Sequence, residues 1–270
     1  MDTAKQGVVP AAAPSLLQSE AVTRRACLAT LAAAGMPGCI SRALRESDDA
    51  ATARLRSRPG KAAGNRPPGL HSLKLRRERD TLLYIPKSAA PDRASPLVLY
   101  LHGATGSEQQ GIKRLSSLSD QLGFVLLSPA SEETTWDAIQ SGYGRDFRLI
   151  DNALAATFES CSIDPDRIAV SGFSDGASYA LGLGLSNGEL FGSVAAFSPG
   201  FIPPGTSLSG KPRIFISHGR DDSILPIDSS SRRLVPELKR AGYNVTFREF
   251  DGPHAVPPEI AAEAMRWFVG

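Results

Sequence analysis

The chain has 270 residues, a formal charge of +2 from 30 Lys+Arg against 28 Asp+Glu, and 41% hydrophobic residues, enough apolar material for one globular domain with a sizeable core and a tail. Charge this close to balance, with no cluster of aromatic and basic residues, excludes a dedicated nucleic-acid binder. Cys27, Cys39 and Cys161 are too few and too scattered for a disulfide framework or a zinc site, and no apolar run reaches the roughly 20 residues that a membrane-spanning helix needs.

The first seventy residues differ from the rest. Residues 1–22 are rich in Ala and Pro, and Thr23-Arg24-Arg25-Ala26-Cys27-Leu28 then precedes a short, weakly apolar stretch that ends at Met36-Pro37-Gly38-Cys39. The arginine pair resembles a twin-arginine export signal. Gly38-Cys39 resembles a lipoprotein cleavage box, which would leave Cys39 as a lipidated first residue and a lipid anchor. Met36 stands there where Leu is usual, and Pro37 is unusual beside a cleavage site. Residues 1–39 therefore read as an export or lipoprotein signal, which implies a periplasmic or membrane-anchored protein; the alternative is a cytoplasmic protein with an unstructured start. Residues 40–70, with Pro59-Gly60 and Pro67-Pro68-Gly69, read as a disordered tether whose basic residues are solvated. Residues 71–270 read as one folded domain.

From Leu73 the pattern becomes regular. Leu73, Leu75, Leu82, Tyr84 and Ile85 suggest antiparallel strands ending at Pro86. Leu97–Leu101 is a continuous apolar run of the kind a central parallel strand needs, because helices cover both of its faces. A helix is predicted over residues 111–122, a strand over 124–127, and a helix over about 146–161 with Phe147, Ile150, Leu154 and Phe158 inward. Asp164-Pro165-Asp166 turns into a strand Ile168–Val170, and a helix follows Ser174. Strands at 194–197, 214–217 and 245–250 alternate with helices at about 228–241 and 257–268. Such alternation predicts an α/β fold, a mostly parallel doubly wound sheet with helices on both faces. About a dozen residues, 199–211, link two of the strands, so no large cap domain is expected and the site should be open and shallow.

Chemistry-bearing residues collect at the carboxyl ends of these strands, where open α/β sheets place their reactive groups. His102-Gly103-Ala104-Thr105-Gly106 follows the first central strand and Gly172-Phe173-Ser174-Asp175-Gly176 another. His218-Gly219-Arg220-Asp221-Asp222 with Leu225-Pro226, and then Asp251-Gly252-Pro253-His254, follow the last two. A strand that turns sharply into a helix leaves its apex residue strained, and side chains two positions away would collide there. The G-x-S-x-G spacing therefore lifts the Ser174 hydroxyl clear of the sheet. The order serine, acid, histidine is that of the α/β-hydrolase fold.

On Leu101-His102-Gly103, Gly172–Gly176, His218-Gly219-x-x-Asp222-x-x-Leu225-Pro226 and Gly252-Pro253-His254, the stretch from about Leu73 to Gly270 resembles the bacterial phospholipase/carboxylesterase group of α/β-hydrolases, which is also similar to polyhydroxyalkanoate-depolymerase-like esterases. One departure is Ala177, where many relatives carry a second glycine. The resemblance implies a serine hydrolase that cleaves carboxylic esters, small or polymeric, through an acyl-enzyme and without metal or cofactor. Ser174 is the expected nucleophile, His254 the base and Asp222 the acid, with Asp221 beside it as an alternative. His102 and His218 are expected to order the oxyanion and acid loops. The backbone N–H groups of Ala104 and Asp175 are expected to form the oxyanion hole. Trp136 and Tyr143, in the loop 130–145, are candidates for a substrate wall, the alternative being an ordinary surface loop. The same triad could serve an acyltransferase or a peptidase, and a non-catalytic binding module on this fold is a further alternative.

Overall fold

A computed structural model of the chain describes residues 52–64, 66–90 and 93–270, all within one compact unit, Pro37–Gly270. The arginine pair at Arg24-Arg25 and the Gly38-Cys39 pair lie outside the described residues. Among the described residues no helix is long and apolar enough to cross a membrane.

The strands are β1 (Gly69–Ser72), β2 (Leu82–Ile85), β3 (Ser95–Leu101), β4 (Val125–Ser128), β5 (Ile163–Phe173), β6 (Ser193–Phe197), β7 (Arg213–Gly219) and β8 (Val245–Phe250). They form one eight-stranded sheet in the order β1-β2-β4-β3-β5-β6-β7-β8. β1 and β2 run antiparallel, as does β2 against β4, and every pair from β4 to β8 is parallel. The helices are α1 (Glu108–Leu122), α2 (Asp137–Gln140), α3 (Arg145–Ser160), α4 (Asp175–Ser186), α5 (Ser231–Arg240) and α6 (Pro258–Val269). This is the mostly parallel α/β sheet that the alternation of runs predicts, and the α/β-hydrolase fold that the resemblance implies.

Strand parity sorts the two faces. Val98, Tyr100, Ala169, Ala195 and Phe215 cluster with Ile112 and Leu115 of α1 and with Ile260, Ala264 and Phe268 of α6. The side chains of the opposite parity, Val170 and Val194, meet α4, where a Cβ added at Gly184 would lie 2.2 Å from Val194 Cγ2. All seven residues of β3 are buried, as a strand covered on both faces requires. The β6–β7 connection holds turns and no helix, so no cap rises from it.

Four local expectations change. Leu73 and Leu75 are not in strands; they belong to a turn over 73–81 in which the Asp80 carboxylate accepts the N–H groups of Lys74, Leu75 and Arg76. Those donors serve the carboxylate in place of a sheet ladder. Asp164–Arg167 do not form a separate turn but bulge out of β5, since Ser95 pairs with Ile163 and Leu97 with Ile168. The helix expected over 228–241 is a 3₁₀ turn, Ile227–Ser229, followed by α5.

Residues 52–64 do not form the disordered tether expected there. Ala53 and Leu55 are buried. The side-chain amide of Asn187, just past α4, accepts the Leu55 N–H at 2.8 Å and donates to the Ala53 carbonyl at 2.6 Å. Asp151 on α3 accepts the N–H groups of Arg56 and Ser57, and the Glu159 carbonyl accepts those of Ala63 and Gly64. Asp151 and Glu159 on α3, and Asn187 just past α4, thus hold a segment whose own composition gives no sign of order.

Candidate active site

β5 ends at Phe173 and α4 begins at Asp175, leaving Ser174 alone at the apex with φ 56° and ψ −121°. For a non-glycine residue this is strained backbone, and it is held at both ends. The Ser174 N–H donates to the Phe197 carbonyl of β6 at 2.9 Å, and its own carbonyl accepts Ala177 and Ser178. The flanking glycines are obligatory. A Cβ at Gly172 would fall 2.2 Å from the Gly176 carbonyl oxygen, and one at Gly176 would fall 2.2 Å from that of Leu101.

The loops that carry Asp222 and His254 are brought together by another close approach. β7 and β8 pair in register to Gly219↔Phe250, and a Cβ at Gly219 would lie 2.3 Å from the Gly252 carbonyl oxygen. Only glycine lets the chain after β8 come so near the chain after β7. As a result His254 Nδ1 lies 2.6 Å from Asp222 Oδ2. Asp222 is buried, and Asp221 is exposed with its N–H donating to the Gly252 carbonyl. Of the two carboxylates, Asp222 is the one that meets the imidazole. Burial alone would raise the Asp222 carboxyl, but the Leu225 N–H and the His254 ring outweigh it and hold it below the ordinary range. His254 also stacks on Phe173, ring centroids 4.7 Å apart, beside Ser174. Asp251, by contrast, points to Arg220 at the surface.

His218 lies on the other side of the Asp222 carboxylate. It is fully buried, its Nε2 lies 3.1 Å from Asp222 Oδ2 and 2.7 Å from the Leu225 carbonyl, and its Nδ1 lies 2.7 Å from Ser231 Oγ. A carbonyl only accepts, so Nε2 carries the proton and Nδ1 accepts the Ser231 hydroxyl. Burial lowers the pKa of this ring, which keeps it neutral. Asp222 therefore has a neutral donor on one side and His254 on the other.

On the other flank, His102 is buried between the Ser131 N–H, which donates to its Nε2 at 3.0 Å, and the Gly103 carbonyl, 2.7 Å from its Nδ1. Burial pushes its pKa down to about 4. The turn Gly103–Gly106 lies against Ser174, since a Cβ at Gly103 would be 3.3 Å from Ser174 Cβ. Neither the Ala104 N–H nor the Asp175 N–H donates to an acceptor among the described residues. The Asp175 carboxylate accepts the Thr135 hydroxyl at 2.6 Å.

The aromatic wall does not form as expected. Trp136 is fully buried, with its indole N–H donating to the His102 carbonyl at 2.8 Å. It supports the loop from beneath and offers no surface to a substrate. Tyr143 packs on Tyr179 and Phe147, and its hydroxyl lies 3.3 Å from Thr206 Oγ1. A Cβ at Gly182, two turns along α4 from Ser174, would lie 2.0 Å from that hydroxyl, which places the Tyr143 tip well away from Ser174. Among the described residues no group of His, Cys, Asp and Glu could hold a metal ion.

Residues 132–267, from the loop after β4 to the end of α6, match the phospholipase/carboxylesterase family. The chain belongs to that family. It is similar to a bifunctional acetylxylan esterase/xylanase of Neocallimastix patriciarum, 32% identical over 54% of this chain and 22% of the relative. It is also similar to a probable carboxylesterase of Arabidopsis thaliana, 28% identical over 52% of each. The chain thus spans about a fifth of one curated relative and about half of the other. Among solved structures, the esterase PE8 superposes with a TM-score of 0.56 at 20% identity, covering 74% of this chain and 97% of that one. The family's fold and this chain's sheet order agree, and the matched residues include Ser174, Asp222 and His254.

Proposed function

We propose that the chain is a carboxylic ester hydrolase that works through an acyl-enzyme on Ser174. The observation that carries this reading is the 2.6 Å contact of His254 Nδ1 with the buried Asp222 carboxylate, with the His254 ring stacked beside the serine elbow. The Nδ1–H bond to Asp222 fixes the tautomer in which Nε2 is free to accept a proton. In the reaction Ser174 Oγ attacks the ester carbonyl as His254 Nε2 takes its proton. The tetrahedral oxyanion is met by the N–H groups of Ala104 and Asp175, which have no other acceptor among the described residues. Collapse expels the alcohol, protonated by His254, and leaves the acyl-Ser174 ester. Water, deprotonated by the same imidazole, then attacks that ester and releases the acid. With no cap over the site among the described residues, small esters and the ester side groups of a polymer both fit the reading, and the relative named for acetylxylan favours short acyl groups.

The test is turnover of p-nitrophenyl acetate and labelling by a fluorophosphonate. Ser174→Ala is expected to lose both while its thermal transition stays cooperative. Turnover retained at the wild-type rate in that variant overturns the assignment.

A further inference from the structure

The β1–β2 turn does more than connect two strands. Its Asp80 carboxylate accepts the Ser72 hydroxyl and the N–H groups of Lys74, Leu75 and Arg76, which fixes the turn's shape. Arg79 sits in this turn at φ 50°, in the left-handed region. From there its guanidinium crosses to the other edge of the site. Nη2 donates to the Gly106 carbonyl and Nη1 to the Glu133 carbonyl, both at 2.8 Å. Among the described residues Arg79 forms no ion pair, so its charge-assisted bonds go to two backbone carbonyls.

Those two carbonyls bracket the turn beside the nucleophile. The Gly106 N–H closes that turn on the Gly103 carbonyl at 3.0 Å. Its third residue, Thr105, has φ 58°, a position suited to Gly or Asn and costly for a β-branched side chain. The Thr105 N–H is held by the Thr134 carbonyl at 2.6 Å, next to Glu133. The strained turn is therefore clamped from outside, by the loop after β4 and by Arg79, which grips both partners.

We propose that Arg79 is a positioning residue for the oxyanion hole. By joining the Gly106 and Glu133 carbonyls it keeps Thr105 in its strained conformation and the Ala104 N–H aimed at the carbonyl that Ser174 attacks. Without it the turn relaxes and that N–H moves off the position of the oxyanion. The proposal rests on the reading of Ser174 as nucleophile and Ala104 as donor.

Donors to the oxyanion act in the transition state, so the effect belongs in kcat. In Arg79→Met, which keeps the aliphatic stem, kcat for p-nitrophenyl acetate is expected to fall roughly tenfold with KM within about twofold. The Ki of an alkylboronic acid, which forms a tetrahedral adduct with the serine, is expected to rise by the same factor. Arg79→Lys, which reaches one carbonyl at a time, is expected to fall between the two, and it decides the matter if Arg79→Met does not fold. Wild-type kcat and Ki in a folded Arg79 variant overturn the proposal, as does a loss that appears in KM alone. Ser174→Ala assayed alongside separates the two levels. If it keeps turnover, the nucleophile assignment and the proposal built on it both fall. If it is inactive while Arg79→Met matches wild type, only the clamp falls.

Discussion

At the residue scale, Asp222 uses all of its acceptor capacity. Oδ1 takes the N–H groups of Ile224 and Leu225, and Oδ2 takes His254 and His218. An asparagine cannot do the same. If its NH₂ faces the backbone N–H groups, donor meets donor. If it faces His254, the imidazole must present Nδ1 as an acceptor and carry its proton on Nε2, the tautomer that cannot accept the Ser174 proton. Asp222→Asn is therefore expected to lower kcat by about 10³–10⁴ with a small change in KM, measured on p-nitrophenyl acetate at pH 8. A kcat within tenfold of wild type would remove Asp222 from the triad. Asp222 and His254 were legible as site candidates because each follows an apolar strand run and a glycine: Gly219, where the backbone approach leaves no room for a Cβ, and Gly252, whose φ of 157° side chains rarely adopt. Trp136 was misread for a physical reason. An aromatic residue in a polar loop looks the same whether the loop exposes it or folds over it, and only the His102 carbonyl that its indole serves settles which. The Arg79 bonds were equally hidden, because their acceptors are main-chain carbonyls and those carry no residue signature.

At the element scale, the long central elements were readable because burial on both sheet faces, or on one helix face, imposes a period on the sequence. The ends were not, since caps and turns obey local hydrogen bonding, as Asp80 shows. The segment 52–64 is the clearest case. It has no period, and its order comes from acceptors on distant helices. Asn187 is the central one, buried and bonded to Leu55, Ala53 and Leu183. Asn187→Ala leaves the Leu55 N–H and the Ala53 carbonyl unpaired, a loss of about 2 kcal/mol in the attachment of the segment. Tryptic cleavage at Arg54 and Arg56 samples the detached state, so its rate is expected to rise roughly thirtyfold. The attachment lies beyond the far end of α4 from Ser174, so kcat is expected to stay at the wild-type value. Unchanged cleavage would show that the buried side chains, and not Asn187, hold the segment.

At the scale of the whole molecule, the crossovers from β3 to β8 set every loop of the site on one edge of the sheet, and two buried ionisable groups there pull stability in opposite directions with pH. His102 is buried, and desolvation, reinforced by the Arg79 charge against the Gly103 bond and Asp175, pushes it down to about 4. The unfolded chain, with a histidine near 6.5, therefore takes up its proton first as the pH falls. Stability from this residue is complete above that value and is lost on the way down to about 4. Asp146 is also buried. Desolvation raises it to about 6, with Asp137 adding to the rise and the backbone bonds from Glu132 and Asp137, with Arg76, opposing it. Here the folded chain takes up the proton first, so the contribution is present below about 4 and is lost as the pH rises through 6. Between pH 6.5 and 4.5 each group shifts the unfolding free energy by about 2 kcal/mol, with opposite sign. His218, which burial also holds neutral, adds a loss of the same sign as His102, so the wild-type protein is expected to lose stability over that interval, with Asp146 offsetting about one histidine's share, by urea unfolding at pH 6.5, 5.5 and 4.5. Asp146→Ala removes that offset. It lowers stability at every pH by freeing the N–H groups of Glu132 and Asp137, and it leaves the histidines unopposed, so the variant is expected to lose about 1 kcal/mol per pH unit more than wild type on acidification. A variant curve parallel to wild type would mean that the two titrations do not oppose each other in the folded protein.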